Sequence, residues 1–146
     1  NIANLVPPQE SGGKHHGTSA AVEYAVTELK VSHLIVLGHS ACGGVQGCYD
    51  MCSGNAPELE AKTSYVGRWM DILRPSFDKL PEGDDAARVR QLEKDSVVIS
   101  LENLMTFPHV KDAVDSGRLS LHGLWNDIGH GGLEVYDAKT ENFKSL

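Results

Sequence analysis

The run His33-Leu34-Ile35-Val36-Leu37-Gly38 constrains this chain more than any other segment. It is short, continuous and rich in branched aliphatics. A strand with one wet face alternates apolar and polar residues, so this unbroken run predicts a strand covered on both faces, as in a parallel sheet. Just upstream, Ala21, Val22, Ala25, Val26 and Leu29 recur at helical spacing behind Thr18 and Ser19, either of which can cap the first free N–H groups. A helix running directly into a buried strand is half of a βαβ unit, which predicts an α/β fold. The end of such a strand is where α/β proteins place their chemistry. Here it delivers His39-Ser40-Ala41-Cys42-Gly43-Gly44.

Elsewhere the chain reads as one domain over residues 1–146, without repeat, low-complexity tract or linker. Asn1 to Gly17 is punctuated by Pro7, Pro8, Gly12 and Gly13 and reads as an irregular entry loop. Val45 to Cys52 predicts a short helix, and Leu59 to Leu73 a second one stopped by Pro75. Ala86 to Met105 predicts a longer helix or a broken pair of helices, with Val98, Leu101, Leu104 and Met105 facing inward. Phe107-Pro108 breaks it, and a further helix runs to Ser116 with Gly117 as its stop. Strands follow at Leu119 to Asn126 and Leu133 to Tyr136, around a loop at Gly129 to Gly132.

With 146 residues the chain can bury a core, and it has no apolar stretch long enough to span a bilayer as a helix. A net charge of -7 argues against a phosphate-binding surface and hence against nucleic acid as a partner. Three cysteines, an odd number without paired spacings, fit a reducing compartment, read here as the cytoplasm, with thiols used singly or as metal ligands. The chain begins at Asn1, so a targeting segment stays open.

His39 and Cys42 lie three apart in a Gly-rich loop after the strand. Imidazole nitrogen and thiolate sulfur are preferred zinc donors, and two from one turn cost less entropy to gather. Gly43 and Gly44 let the backbone approach a metal or its substrate and can present N–H groups to an anion. Two donors are not a zinc site, however, since catalytic zinc takes three protein ligands plus water. On spacing alone, a strand-end histidine and a small buried cysteine are the better explanation, and a metal role has about one chance in three.

Three blocks enlarge the signal: Asn1-Ile2-Ala3-Asn4-Leu5-Val6-Pro7-Pro8, Gly17-Thr18-Ser19-Ala20-Ala21-Val22-Glu23-Tyr24-Ala25-Val26, and Gly38 to Gly44. In order and spacing they resemble consecutive blocks of β-class carbonic anhydrases, with wording nearer the plant-like subgroup. Leu101-Glu102-Asn103-Leu104 with Phe107-Pro108, and Leu119-Ser120-Leu121-His122-Gly123, resemble the family's C-terminal half. The resemblance implies a mostly parallel central sheet flanked by helices, and reversible hydration of CO₂ to bicarbonate and a proton on Zn²⁺. It implies His39 and Cys42 as metal ligands, Ile2 and Tyr24 as pocket-lining residues, and the Gly43 amide as a donor to bound anion. Such pockets are built across subunits, so a homodimer or higher homo-oligomer is implied.

The family's third protein ligand and its Asp/Arg pair come from a C-x-D-x-R segment, expected upstream of Asn1 together with the first core strand. Cys48 and Cys52, four apart on a predicted helix, face the same way and read as structural. His15 and His16 read as solvated, His122 as structural or near the site, and His33, His109 and His130 carry no signal. Two other readings stay open: an inactive family member serving as a binding or assembly subunit, and a zinc hydrolase acting on CS₂ or COS.

Overall fold

A computed structural model describes residues 1–10 and 16–146. After a 3-10 turn at Ile2–Asn4, the chain forms α1 (Gly17–Thr27), β1 (His33–His39) and α2 (Gly43–Cys52). Four short helical pieces follow: a 3-10 turn at Pro57–Glu60, α3 (Tyr65–Met70), a 3-10 turn at Asp71–Leu73, and α4 (Arg74–Phe77). Then come α5 (Asp85–Leu104), α6 (Pro108–Asp115), β2 (Ser120–Asp127), β3 (Gly132–Asp137) and β4 (Asn142–Ser145). No helix among the described residues is long and apolar enough to cross a membrane.

The four strands form one sheet in the order β1-β2-β3-β4. β1 runs parallel to β2, with Val36 opposite Gly123 and His39 opposite Asn126, whereas β2-β3 and β3-β4 pair antiparallel. The α/β class holds, but the sheet of this chain is mixed rather than mostly parallel. The connection across α2 to α6 enforces the one parallel pair, and short reversals after β2 and β3 enforce the other two.

β1 also departs from its predicted burial. Val36 and Gly38 are buried, but Ile35 and Leu37 on the opposite face are 59% and 53% exposed. Within this one chain the apolar run is covered on one face only.

α5 divides the core. On one side Leu92 packs with Leu5, Val45, Cys48, Met70 and Leu73; on the other Val97 and Leu104 pack with Val26, Val36, Val110 and Leu119. The Asp84 side chain caps α5 by accepting from Ala87 N–H at 2.9 Å. Its inward face differs from the apolar one expected. Leu104 is buried as predicted, but Glu93, Ser96 and Ser100 are buried beside it, while Val98, Leu101 and Met105 are only half-buried.

Pro75 does not end a helix. It sits in the first turn of α4, where its missing N–H leaves no bond unmade. The predicted helix from Leu59 to Leu73 is broken into turns and α3. Neither Thr18 nor Ser19 caps α1, which begins at Gly17 with His16 at its N-cap.

Candidate metal centre

β1 ends at His39 and α2 begins at Gly43, so Ser40, Ala41 and Cys42 make the whole connection. To turn so tightly, Ala41 adopts φ 55°, the left-handed region, at a cost of about 1–2 kcal/mol for a residue with a Cβ. His39 and Cys42 therefore stand at the two ends of one short, strained turn at the carboxyl end of a sheet strand.

The imidazole is oriented by its own turn. His39 Nδ1 lies 2.8 Å from the Ser40 carbonyl oxygen, which can only accept, so Nδ1 carries the proton and Nε2 keeps its lone pair. That is the form in which a metal-binding histidine is held by an outer partner. Cys42 is 5% exposed and is a free thiol. The donor set fits a thiophilic ion such as zinc, as two ligands of a larger set. Among the described residues, no group of three or more His, Cys, Asp and Glu side chains is placed to hold a metal.

Two carboxylates, Asp127 at the end of β2 and Glu93 on α5, fix the turn, and sequence reasoning missed both. Ser40 is buried; its hydroxyl donates to Asp127 Oδ1 at 3.3 Å and accepts from Ile128 N–H at 2.9 Å. The Ser40 N–H donates to the Asn126 carbonyl at 2.8 Å, extending the parallel ladder one residue past His39. On the α5 side, Glu93 is 3% exposed and its Oε1 accepts from Cys42 N–H at 3.3 Å. Burial raises the Glu93 pKa, against the Cys42 and Ala41 amides, which favour the charged form. An open cleft of about 390 Å³ lies beside the turn, lined by Ala41, Gln46, Arg90 and Glu93 among others.

Of the predicted pocket residues, Gly43 follows the turn directly and Ile2 lies against Gly44, one residue further on. A Cβ on Gly44 would stand 2.8 Å from Ala3 Cβ and 3.1 Å from Ile2 Cγ2, so only glycine admits the Ile2–Asn4 turn this close to α2. Trp69 Nε1 secures that turn by donating to the Ile2 carbonyl at 2.9 Å. Gly43 heads α2, where helix geometry leaves N–H groups without intrahelical acceptors. Tyr24 stands apart, 59% exposed on α1, which packs on α6.

The other candidates take structural places. Cys48 is fully buried and directed to the Met70 carbonyl at 3.5 Å, with Cys52 Sγ 4.0 Å away. Burial pushes both thiols up, which suits packing rather than ligation. His33 Nδ1 and His122 Nε2 meet at 3.0 Å across β1 and β2, and His130 Nδ1 contacts Asp127 Oδ2 at 3.0 Å. His15 lies outside the described residues.

The family model for carbonic anhydrase matches residues 1–133. This chain belongs to the β-carbonic anhydrase family. It is 33% identical over 141 residues to "Beta carbonic anhydrase 3" of Arabidopsis thaliana, covering 94% of this chain and 53% of that protein. "Carbonic anhydrase 1" of Escherichia coli O157:H7 is 33% identical over 147 residues, covering 100% and 64%. Among solved structures, the β-carbonic anhydrase CcaA superposes with a TM-score of 0.80 at 28% identity, over 100% of this chain and 64% of that one. A tetrameric β-carbonic anhydrase of Sordaria macrospora gives 0.67 at 29% identity, over 92% and 64%. The chain thus spans between about half and two thirds of the length of these relatives. Equal identity to a plant and a bacterial protein does not divide the subgroups.

Proposed function

We propose that this chain carries two zinc ligands, His39 and Cys42, of a β-carbonic anhydrase that interconverts CO₂ with bicarbonate and a proton. The observation carrying this reading is the turn itself. It places an imidazole with Nε2 available and a buried thiol on one strand-to-helix connection, in a chain of that family.

The chain's own residues supply orientation and exclusion. Ser40 accepts the Nδ1 proton of His39 on its carbonyl and so holds the ring with Nε2 outward. Burial of Cys42 keeps water from competing around its sulfur. The Gly43 N–H at the head of α2 is available to a product anion, with the positive end of the helix dipole behind it. Ile2, held against Gly44, contributes apolar surface for a small nonpolar substrate. Zinc, when bound, would supply the Lewis acidity that makes water a nucleophile near neutral pH. Among the described residues no third donor side chain joins His39 and Cys42.

We also propose that the protein works as a homo-oligomer; the Sordaria relative is a tetramer, and this chain leaves an apolar sheet face open. The test combines stopped-flow CO₂ hydration with zinc quantification. His39→Ala and Cys42→Ser are expected to lose bound zinc and at least 100-fold in kcat/KM. Wild-type activity with full zinc in either variant overturns the assignment.

A further inference from the structure

Three buried polar residues of α5 and one half-buried one form a rail. Glu93, Ser96, Ser100 and Asn103 recur at spacings of three, four and three, hence along one helix face. Glu93 holds the Cys42 amide at 3.3 Å. Ser96 Oγ receives Asn4 Nδ2 at 3.1 Å. Ser100 Oγ receives Val6 N–H at 3.2 Å and donates to the Asn4 carbonyl at 3.0 Å. Asn103 Nδ2 donates to the Val6 carbonyl at 2.8 Å. One helix face thus binds both the metal turn and the segment that follows Ile2.

A glutamate buried to 3% exposure needs a reason, because an apolar residue of like size would fill the same space without desolvating a carboxylate. Its backbone partners are at the strained point of the turn: Ala41 is left-handed, and such residues persist only where their surroundings over-determine them. The Cys42 N-cap amide reaches the Glu93 carboxyl at 3.3 Å, at the positive end of α2, where an acceptor oxygen is favoured.

We propose that Glu93 is a positioning residue. It holds the Ala41–Cys42 backbone in the left-handed turn that aims the Cys42 thiol, while Ser96, Ser100 and Asn103 keep the Ile2-bearing segment in register with it. This rests on the zinc reading of His39 and Cys42 and adds the element that sets their geometry.

The experiment compares Glu93→Met, which fills the volume but removes the acceptor, with Glu93→Gln, which keeps one. Ser100→Ala, on the same rail but away from the turn, is the control. Each variant of the protein as isolated is read three ways: urea stability, Co²⁺ affinity with its thiolate-to-metal absorption band, and amide exchange at Ala41 and Cys42 without metal. Glu93→Met is expected to keep or gain stability, yet to lose about 10- to 100-fold in Co²⁺ affinity, with a shifted band and faster exchange at both amides. Glu93→Gln is expected to recover most of the affinity and protection. Ser100→Ala is expected to lose stability with its Co²⁺ affinity unchanged.

Glu93→Met with wild-type affinity and turn protection overturns the proposal. So does an affinity loss in all three variants that merely follows their loss of stability. A wild-type protein that binds no Co²⁺ through His39 and Cys42 would refute the zinc reading instead, and metal-free amide exchange would then decide the role of Glu93 alone.

Discussion

Asp127 closes β2 and gathers four residues around one carboxylate. It accepts from Ser40 Oγ at 3.3 Å, Arg90 at 3.2 Å, the Gly129 N–H at 3.1 Å, and both the His130 ring at 3.0 Å and its N–H at 3.3 Å. The His130 hydrogen bond, with Arg90 behind it, holds its pKa down at about 2, below an ordinary value of 3.8. A carboxyl depressed on folding adds stability wherever it is ionised in both states, and loses that contribution as pH falls through the folded value. The Asp127 share is therefore complete above about pH 4 and gone below about pH 2. Asp137, held near 2 by Lys144, behaves alike. Asp127→Asn is expected to flatten the stability profile between pH 4 and 2, leaving the Asp137 part, as measured by urea titration at fixed pH steps. An unchanged acid slope in Asp127→Asn would remove Asp127 from this role. Ser40 links this carboxylate to the turn between His39 and Cys42, so Asp127→Asn is also expected to quicken amide exchange at Ser40.

At the level of elements, α5 reaches the sheet because two strands offer it glycine. A Cβ on Gly38 of β1 would stand 2.6 Å from Val97 Cγ2, and one on Gly123 of β2 would stand 2.8 Å from Val97 Cγ1 and 2.9 Å from Leu101 Cδ1. Val97 fills the seat completely, with no exposure. Gly123→Ala is expected to cost about 1–3 kcal/mol by overpacking. Combined with Val97→Ala, it is expected to cost less than the two changes summed, by about 1 kcal/mol. Strict additivity in a double-mutant cycle would deny the seat. The elements that pattern alone revealed are those whose pattern is local. β1, α2, α5, α6 and the strands around Gly129 to Gly132 follow from apolar runs and breakers. β4 did not announce itself, because a four-residue edge strand Asn-Phe-Lys-Ser offers one apolar side chain and no alternation to read. The polar rail was unreadable for a different reason. A glutamate, two serines and an asparagine on a helix ordinarily mark the wet face, and only the segments packed above them turn that face inward. His39 and Cys42 were readable as a pair because both lie in one turn; Glu93, 51 positions from Cys42, needed the fold.

For the molecule as a whole, the open face of β1 is the unresolved term. β1 is an edge among the described strands, and its outer side chains Ile35 and Leu37 stand more than half exposed in a run that otherwise reads as fully covered. An apolar edge strand invites pairing, and soluble proteins blunt such edges or cover them. In a homo-oligomer, a second copy covering this face would account for the unbroken aliphatic run without any polar position. Removing about half of each side chain from water contributes about 1 kcal/mol apiece. A two-fold contact uses every residue twice, so the two positions together would contribute about 4 kcal/mol, roughly a 1000-fold change in the dissociation constant. Ile35→Lys with Leu37→Lys is therefore expected to shift the protein to smaller species in sedimentation velocity at micromolar concentration. The lysines point away from the α5 side of the sheet, so secondary structure by circular dichroism is expected to stay intact. An unaltered sedimentation profile would assign the face to something other than a second copy.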